Sequence, residues 1–99
     1  MSKKFHSPLP AFKVFADGTR LKILKMISYG ELCACEILES LKISQSTLSY
    51  HMKLISDSGI VLSRREGKNM LYTINVDQME MVQLFIQSLI ETAEENELP

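Results

Sequence analysis

The chain has 99 residues, of which 45% are hydrophobic and 23% charged; this is enough apolar material for one modest core and not for two, so residues 1–99 are expected to form a single domain. Four Gly, three Pro, no Trp and no low-complexity tract argue against disordered, collagen-like and rod-like classes. The formal net charge of −1 conceals a division: residues 1–76 hold all 11 Lys and Arg against six acids, net +5, whereas residues 77–99 hold six acids and no base, net −6. The body therefore tolerates a polyanionic partner without requiring one.

No apolar run approaches the roughly 18 residues that a membrane span needs. No apolar segment follows Lys3 and Lys4, so neither a membrane partner nor a secretory leader is expected, and the location is read as cytoplasmic. In such a reducing compartment Cys33 and Cys35 are expected as free thiols, ligands or sensors and not as a structural staple.

Punctuation divides the chain into short helices, one hairpin and a last helix, a mainly α fold. Pro8 and Pro10 suit a helix start, and Leu9, Phe12 and Phe15 form a stripe that ends near Asp17-Gly18. A second helix from Thr19 carries Leu21, Ile23, Leu24 and Ile27 on one side and stops at Gly30. Residues 31–41 read as a third helix that would bury Leu32, Cys35, Leu38 and Leu41. After a tight turn at Lys42-Ile43, Ser44 is a good N-cap for a helix over residues 45–57, which Gly59 terminates.

At about 100° per residue, Leu48, Met52 and Ile55 of that fourth helix share a face only about 60° wide, which must dock on the domain. Ser46, Tyr50, Lys53 and Asp57 lie opposite, Ser49 stands at the shoulder, and Gln45 and Thr47 open the first turn. Two short helices joined by about three residues, the second presenting small hydrogen-bonding side chains and one cation, is what a major-groove reading element requires. Any solvated helical hairpin shares part of this pattern. Residues 60–65 and 70–75 then read as strands around Glu66-Gly67-Lys68-Asn69, a hairpin whose tip carries Arg64, Arg65 and Lys68. Such a hairpin directly after a helix-turn-helix is the winged arrangement, with the wing placed to touch phosphates or the minor groove.

From Asp77, read as its cap, the last helix carries Met79, Val82, Ile86, Leu89 and Ala93, widened by Met81 and Phe85. A small domain does not need so wide a stripe, so Phe12, Phe15, Val82, Phe85, Ile86 and Leu89 are expected to form a dimer interface. The alternative is a helix that closes the monomer core.

Three segments resemble the ArsR family of winged-helix metalloregulatory repressors. They are Glu31-Leu32-Cys33-Ala34-Cys35-Glu36-Ile37, the run from Ser44 through Ser46-Thr47-Leu48-Ser49-Tyr50-His51-Met52-Lys53 to Gly59-Ile60-Val61, and Arg64-Arg65-Glu66-Gly67-Lys68 with Tyr72-Thr73-Ile74-Asn75. With Leu21-Lys22-Ile23-Leu24, the resemblance covers most of the chain. It implies a homodimer that occupies double-stranded operator DNA without a cofactor and releases it when a soft metal or metalloid binds Cys33 and Cys35. The Glu-Leu-Cys-x-Cys element resembles the subgroup that senses arsenite and antimonite, or cadmium and lead. The departures are informative. Many arsenic-sensing members carry a third Cys where this chain has Leu38, cadmium and lead sensors add cysteines from an arm that here offers only His6, and zinc sensors use last-helix His where residues 77–99 contain none. As(III) or Sb(III), with two protein thiolates and a third position open, is the inducer that this comparison leaves.

Thiolates select soft ions and two of them cannot complete a structural zinc site. On a regular helix the two side chains would point about 200° apart, whereas one centre needs sulfurs roughly 3.7 Å apart. Binding is therefore expected to unwind or bend the first turn of the third helix at Cys33. Small apolar fillers are the bland alternative for both cysteines. His51, at the edge of the docking face, reads as structural, and His6 as no more than a supplementary ligand. A Cys-x-Cys oxidoreductase lacks the βαβ pattern and Cys-x-x-Cys spacing such enzymes use, so the chain is not read as an enzyme. A redox or general thiol sensor on the same DNA-binding fold is the closer competitor.

Overall fold

The computed structural model describes residues 7–97. Pro10 falls at the start of α1 (Leu9–Phe15), which buries Ala11 and Val14, and Asp17 caps α2 (Gly18–Ser28) by accepting from the Arg20 backbone N–H at 3.0 Å. The helix-turn-helix follows as α3 (Ala34–Leu41) and α4 (Gln45–Asp57). Its turn passes through Lys42 in the left-handed conformation, φ 55°, and Ser44 caps α4 through the Thr47 N–H at 3.1 Å. The wing is β2 (Val61–Glu66) and β3 (Asn69–Ile74), closed by a two-residue turn in which Gly67 takes φ 61°. Glycine adopts that angle without steric cost.

Two expected boundaries move. Residues 31–41 are not one helix: Leu32 and Cys33 form a short strand, β1, pairing antiparallel with β3 through Leu32↔Tyr72 and Cys33↔Leu71. The hairpin is thus two strands of a three-stranded sheet ordered β1-β3-β2. The residues this buries are Cys33 and Ile37 rather than Cys35, which stays exposed, because the helical phase begins three residues later than the sequence pattern suggested. The last helix, α5 (Val76–Glu95), is capped by Asn75 and not by Asp77; the Asn75 side chain accepts from the Gln78 N–H and donates to the Gly59 carbonyl at 2.9 Å.

The core gathers Ala11, Val14, Ile23, Ile27, Ile37, Leu48, Met52, Ile55, Ile60 and Val82 from every helix and the base of the wing. Arg20 locks three helices together: its guanidinium donates to the Lys13 and Val14 carbonyls at the end of α1 and, at 3.1 Å, to Nδ1 of buried His51 on α4. Arginine has no acceptor, so His51 Nδ1 is the accepting nitrogen. Among the described residues no helix is long and apolar enough to cross a membrane.

Candidate functional site

The docking stripe of α4 behaves as its spacing requires: Leu48, Met52 and Ile55 are buried, with His51 beside them. Gln45, Ser46, Thr47, Ser49, Tyr50 and Lys53 are all exposed, so the six side chains read as groove-facing share the outer side and first turn of one rigid helix. Within the first turn the Ser44 hydroxyl lies 3.2 Å from that of Ser46 and donates to Thr47 Oγ1 at 2.8 Å, fixing where these hydroxyls point. Lys53 pairs with Asp57 one turn on, at 3.2 Å, an exposed pair that a phosphate can displace at little cost.

The three wing cations are not equivalent. Arg64 donates from Nε and Nη2 to both carboxylate oxygens of Glu31, at 2.9 and 2.8 Å, and from Nη1 to Glu66 at 3.2 Å. Hydrogen bonding to Arg64 holds the Glu31 carboxyl below its ordinary range. Arg64 is thereby removed from the free cations of the wing and becomes a clamp between β2 and the residue that leads into β1. Among the described residues Arg65 and Lys68 form no ion pair, and both are exposed. Glu31 lies 33 residues from Arg64, and nothing local in the sequence signals the pairing.

Cys33 stands at the N-cap of α3 with extended backbone, φ −86° and ψ 160°, so it is not on the helix at all. Its sulfur accepts from the Glu36 N–H at 3.3 Å while Glu36 Oε1 accepts from the Cys33 N–H at 2.9 Å, a reciprocal capping box. Leaving the helical path turns Cys33 toward Cys35: the two Cα atoms are 5.3 Å apart and the sulfurs are joined as a disulfide. Two expectations change here. The cysteines are not free thiols in this structure, and the angular mismatch that would force α3 to unwind does not exist, since the strand-to-helix junction already brings both sulfurs together. Among the described residues no group of three or more His, Cys, Asp or Glu could hold a metal ion, so at this junction they offer Cys33 and Cys35 alone. His6 lies outside the described residues. Cys33 thus pairs with Leu71 on the wing strand and opens the helix preceding α4.

Of the expected interface residues, Val82 is buried in the monomer core, 3% exposed, and has no surface to offer a partner; the stripe on α5 turns inward at that position. Phe85, Ile86 and Leu89 are exposed, as are Leu84 and Ile90, which the stripe did not single out. Phe12 packs against Phe85 with ring centroids 5.8 Å apart and edge-on against Phe15 at 6.3 Å, tying the half-buried α1 aromatics to this face.

The family model described as bacterial regulatory protein, arsR family, matches residues 17–63, from the α2 cap through α3, α4 and the first wing residues. An arsenical resistance operon repressor of Staphylococcus xylosus is 43% identical over 70 residues, 71% of this chain and 67% of that protein. A cadmium resistance regulatory protein CadC homolog of Staphylococcus aureus is 35% identical over 72 residues, 72% of this chain and 60% of that protein. The solution structure of a homodimeric winged helix-turn-helix DNA-binding domain from Mycobacterium bovis superposes with TM-score 0.67 and 23% identity, covering 100% of this chain and 99% of that one. These relatives are transcriptional regulators and not enzymes, and ArsR-type winged helices bind DNA. On the match over residues 17–63 and the 43% identity with a repressor of which it spans 67%, the chain belongs to the ArsR family of winged helix-turn-helix transcriptional repressors.

Proposed function

We propose that the chain, a single domain over residues 1–99, is a cytoplasmic homodimeric repressor that releases operator DNA when As(III) or Sb(III) binds Cys33 and Cys35. The observation that carries this reading is the meeting of two cysteine side chains at the β1–α3 junction, beside the helix that positions α4. Reduction of the disulfide by two cellular thiol groups, which give up two electrons and two protons and leave joined as a disulfide, precedes coordination. Two thiolates then hold the centre and a third substituent completes it. In the operator complex Gln45, Ser46, Thr47, Ser49, Tyr50 and Lys53 of α4 face the major groove, and Arg65 and Lys68 contact phosphate, while Arg64 holds the wing. Phe85, Ile86 and Leu89, with Phe12 and Phe15 beneath, meet the same face of a second copy. The relative named for arsenical resistance supports the metalloid and the one named for cadmium keeps that ion as a competitor.

Coordination changes the geometry at Cys33, which is both a cap for α3 and a rung of the β1–β3 ladder, so ligand and operator favour different arrangements of one junction. Cys33→Ser preserves a capping oxygen, and both Cys33→Ser and Cys35→Ser are expected to bind operator as the parent does while losing release by arsenite. Release of either variant at the parent's arsenite concentration would place the sensor elsewhere. The disulfide supports a second reading, a thiol redox sensor; peroxide, without metalloid, would then release operator from the reduced protein.

A further inference from the structure

The reading helix α4 has two flanks. With Leu48 at 0° and about 100° per residue, Gln45, Ser49 and Met52 lie at about 40–100° and line a cleft that also takes in Lys68 of the wing. Tyr50, Leu54 and Ser58 lie at about 200–280° and line a second cleft, of about 490 Å³, against α1 and α2. An α-helix about 10–12 Å across fills a major groove about 12 Å wide, so a phosphate strand passes along each flank. The wing supplies cations on one side. On the other, the second cleft is lined by Lys13 from the end of α1 and Arg20 from the first turn of α2. Of the five N–H groups on a guanidinium, Arg20 uses three, on the Lys13 and Val14 carbonyls and His51 Nδ1, and among the described residues two are left. Lys13 is exposed and, among the described residues, forms no ion pair; its carbonyl and not its ammonium holds Arg20. The acid lining this cleft is Asp57, which Lys53 already pairs at 3.2 Å, and Asp17, the α2 cap, does not line it.

We propose that this cleft receives a backbone phosphate of the DNA strand that runs along the flank of α4 away from the wing, with Lys13 as a point charge and the two spare Arg20 N–H groups as donors. The inference rests on the reading of α4 as the groove-facing helix and adds the contact that its second flank lacks. Held by phosphate on both sides, the helix is kept from rolling in the groove, and the side chains that meet base edges keep one register. Because Arg20 also bonds His51 on α4, the phosphate and the reading helix are fixed to the same guanidinium.

The test titrates a labelled duplex with the full chain at several salt concentrations, comparing Lys13→Gln with Lys25→Gln. The second removes the same charge from an exposed position about 140° around α2 from Arg20. Lys13→Gln is expected to unfold at the parent's temperature and to lower the slope of log affinity against log salt by about 1.8, one phosphate in each of two protomers, and Lys25→Gln by less than about 0.5. Lys13→Arg is expected to keep the parent's slope. An unchanged slope for Lys13→Gln, or equal losses for the two Gln variants, overturns the proposal. If Lys68→Ala lowers the slope where Lys13→Gln does not, the contact on this flank alone is lost; if neither does, the groove-facing reading of α4 and the wing falls with it. Amide shifts of Val14, Arg20 and Tyr50 in the nitrogen-proton spectrum of the parent test the cleft without a variant. The duplex is expected to move them and inorganic phosphate at constant ionic strength to leave them in place. Shifts that saturate at millimolar phosphate would make this a small-anion site and overturn the assignment to DNA.

Discussion

Removing one wing cation at a time separates the clamp from the phosphate contacts. Each phosphate neutralised contributes about 0.9 to the slope of log affinity against log salt. Between 50 and 200 mM salt one contact is therefore about 3.5-fold in affinity, and the same contact in both wings of a dimer, with a slope contribution of about 1.8, is about 12-fold. Lys68→Ala and Arg65→Ala are each expected to lower the slope by about 1.8. Arg64→Ala is expected to lower it by less than about 0.5, because two carboxylates already neutralise that guanidinium. Glu31→Gln is expected to steepen the slope by releasing Arg64 toward the DNA. Fluorescence anisotropy of a labelled duplex of arbitrary sequence, titrated at four or five salt concentrations, reads all four variants without the operator being known. A slope loss for Arg64→Ala equal to that for Lys68→Ala would refute the distinction, and a Glu31→Gln slope equal to the parent's would show the clamp does not compete with phosphate.

Leu89→Glu on the exposed face of α5 should give a folded monomer in sedimentation, whereas Val82→Glu should unfold the chain; dimers from Leu89→Glu would move the interface elsewhere. Ile37→Ala, at a fully buried α3 position, should cost about 2–5 kcal/mol in denaturant unfolding, and a loss below about 1 kcal/mol would mean that α3 is loosely held. Asn75→Ala should cost about 1–2 kcal/mol through the lost α5 cap and Gly59 bond. The backbone N–H of Arg20 holds the Asp17 carboxyl below its ordinary 3.8, so its stabilising contribution is full above that value and is lost as pH falls through the lower folded one. Asp17→Asn should accordingly flatten the acid limb of a thermal-stability profile below about pH 4, and an unchanged limb would contradict the assignment.

What the sequence revealed tracks how local each signal is. The α4 stripe, its Ser44 cap and the Gly67 turn are short-range patterns, and all three appear where periodicity and turn chemistry put them. Strand β1 escaped because two residues cannot display an alternation, and their strand character comes from Tyr72 and Leu71 of a partner nearly 40 positions away. Missing it displaced Cys33 onto a helix and produced the unwinding expectation. Val82 and Phe85 lie in one stripe, and a stripe gives direction without depth; only the packing of α1 and the sheet decides which is covered. The Arg64 clamp is non-local in the same way. The Cys-x-Cys pair itself was legible, but its closure depends on the strand-to-helix junction, which no single run of residues displays.

The acidic end of α5 bears on kinetics as well as on solubility. Its last buried residue, Val82, lies nine residues before Glu91, about 13 Å along the helix axis, farther than the screening distance of about 8 Å in physiological salt. Glu91, Glu94, Glu95 and Glu97 lie beyond that point, all of them exposed. With no basic residue in the last turn, they add to the negative pole of the helix. A polyanion repels this end of the chain while it attracts exposed Arg65 and Lys68, so the two signs bias how the molecule is turned as it approaches. That bias, unlike the phosphate contacts, acts before any bond to DNA has formed.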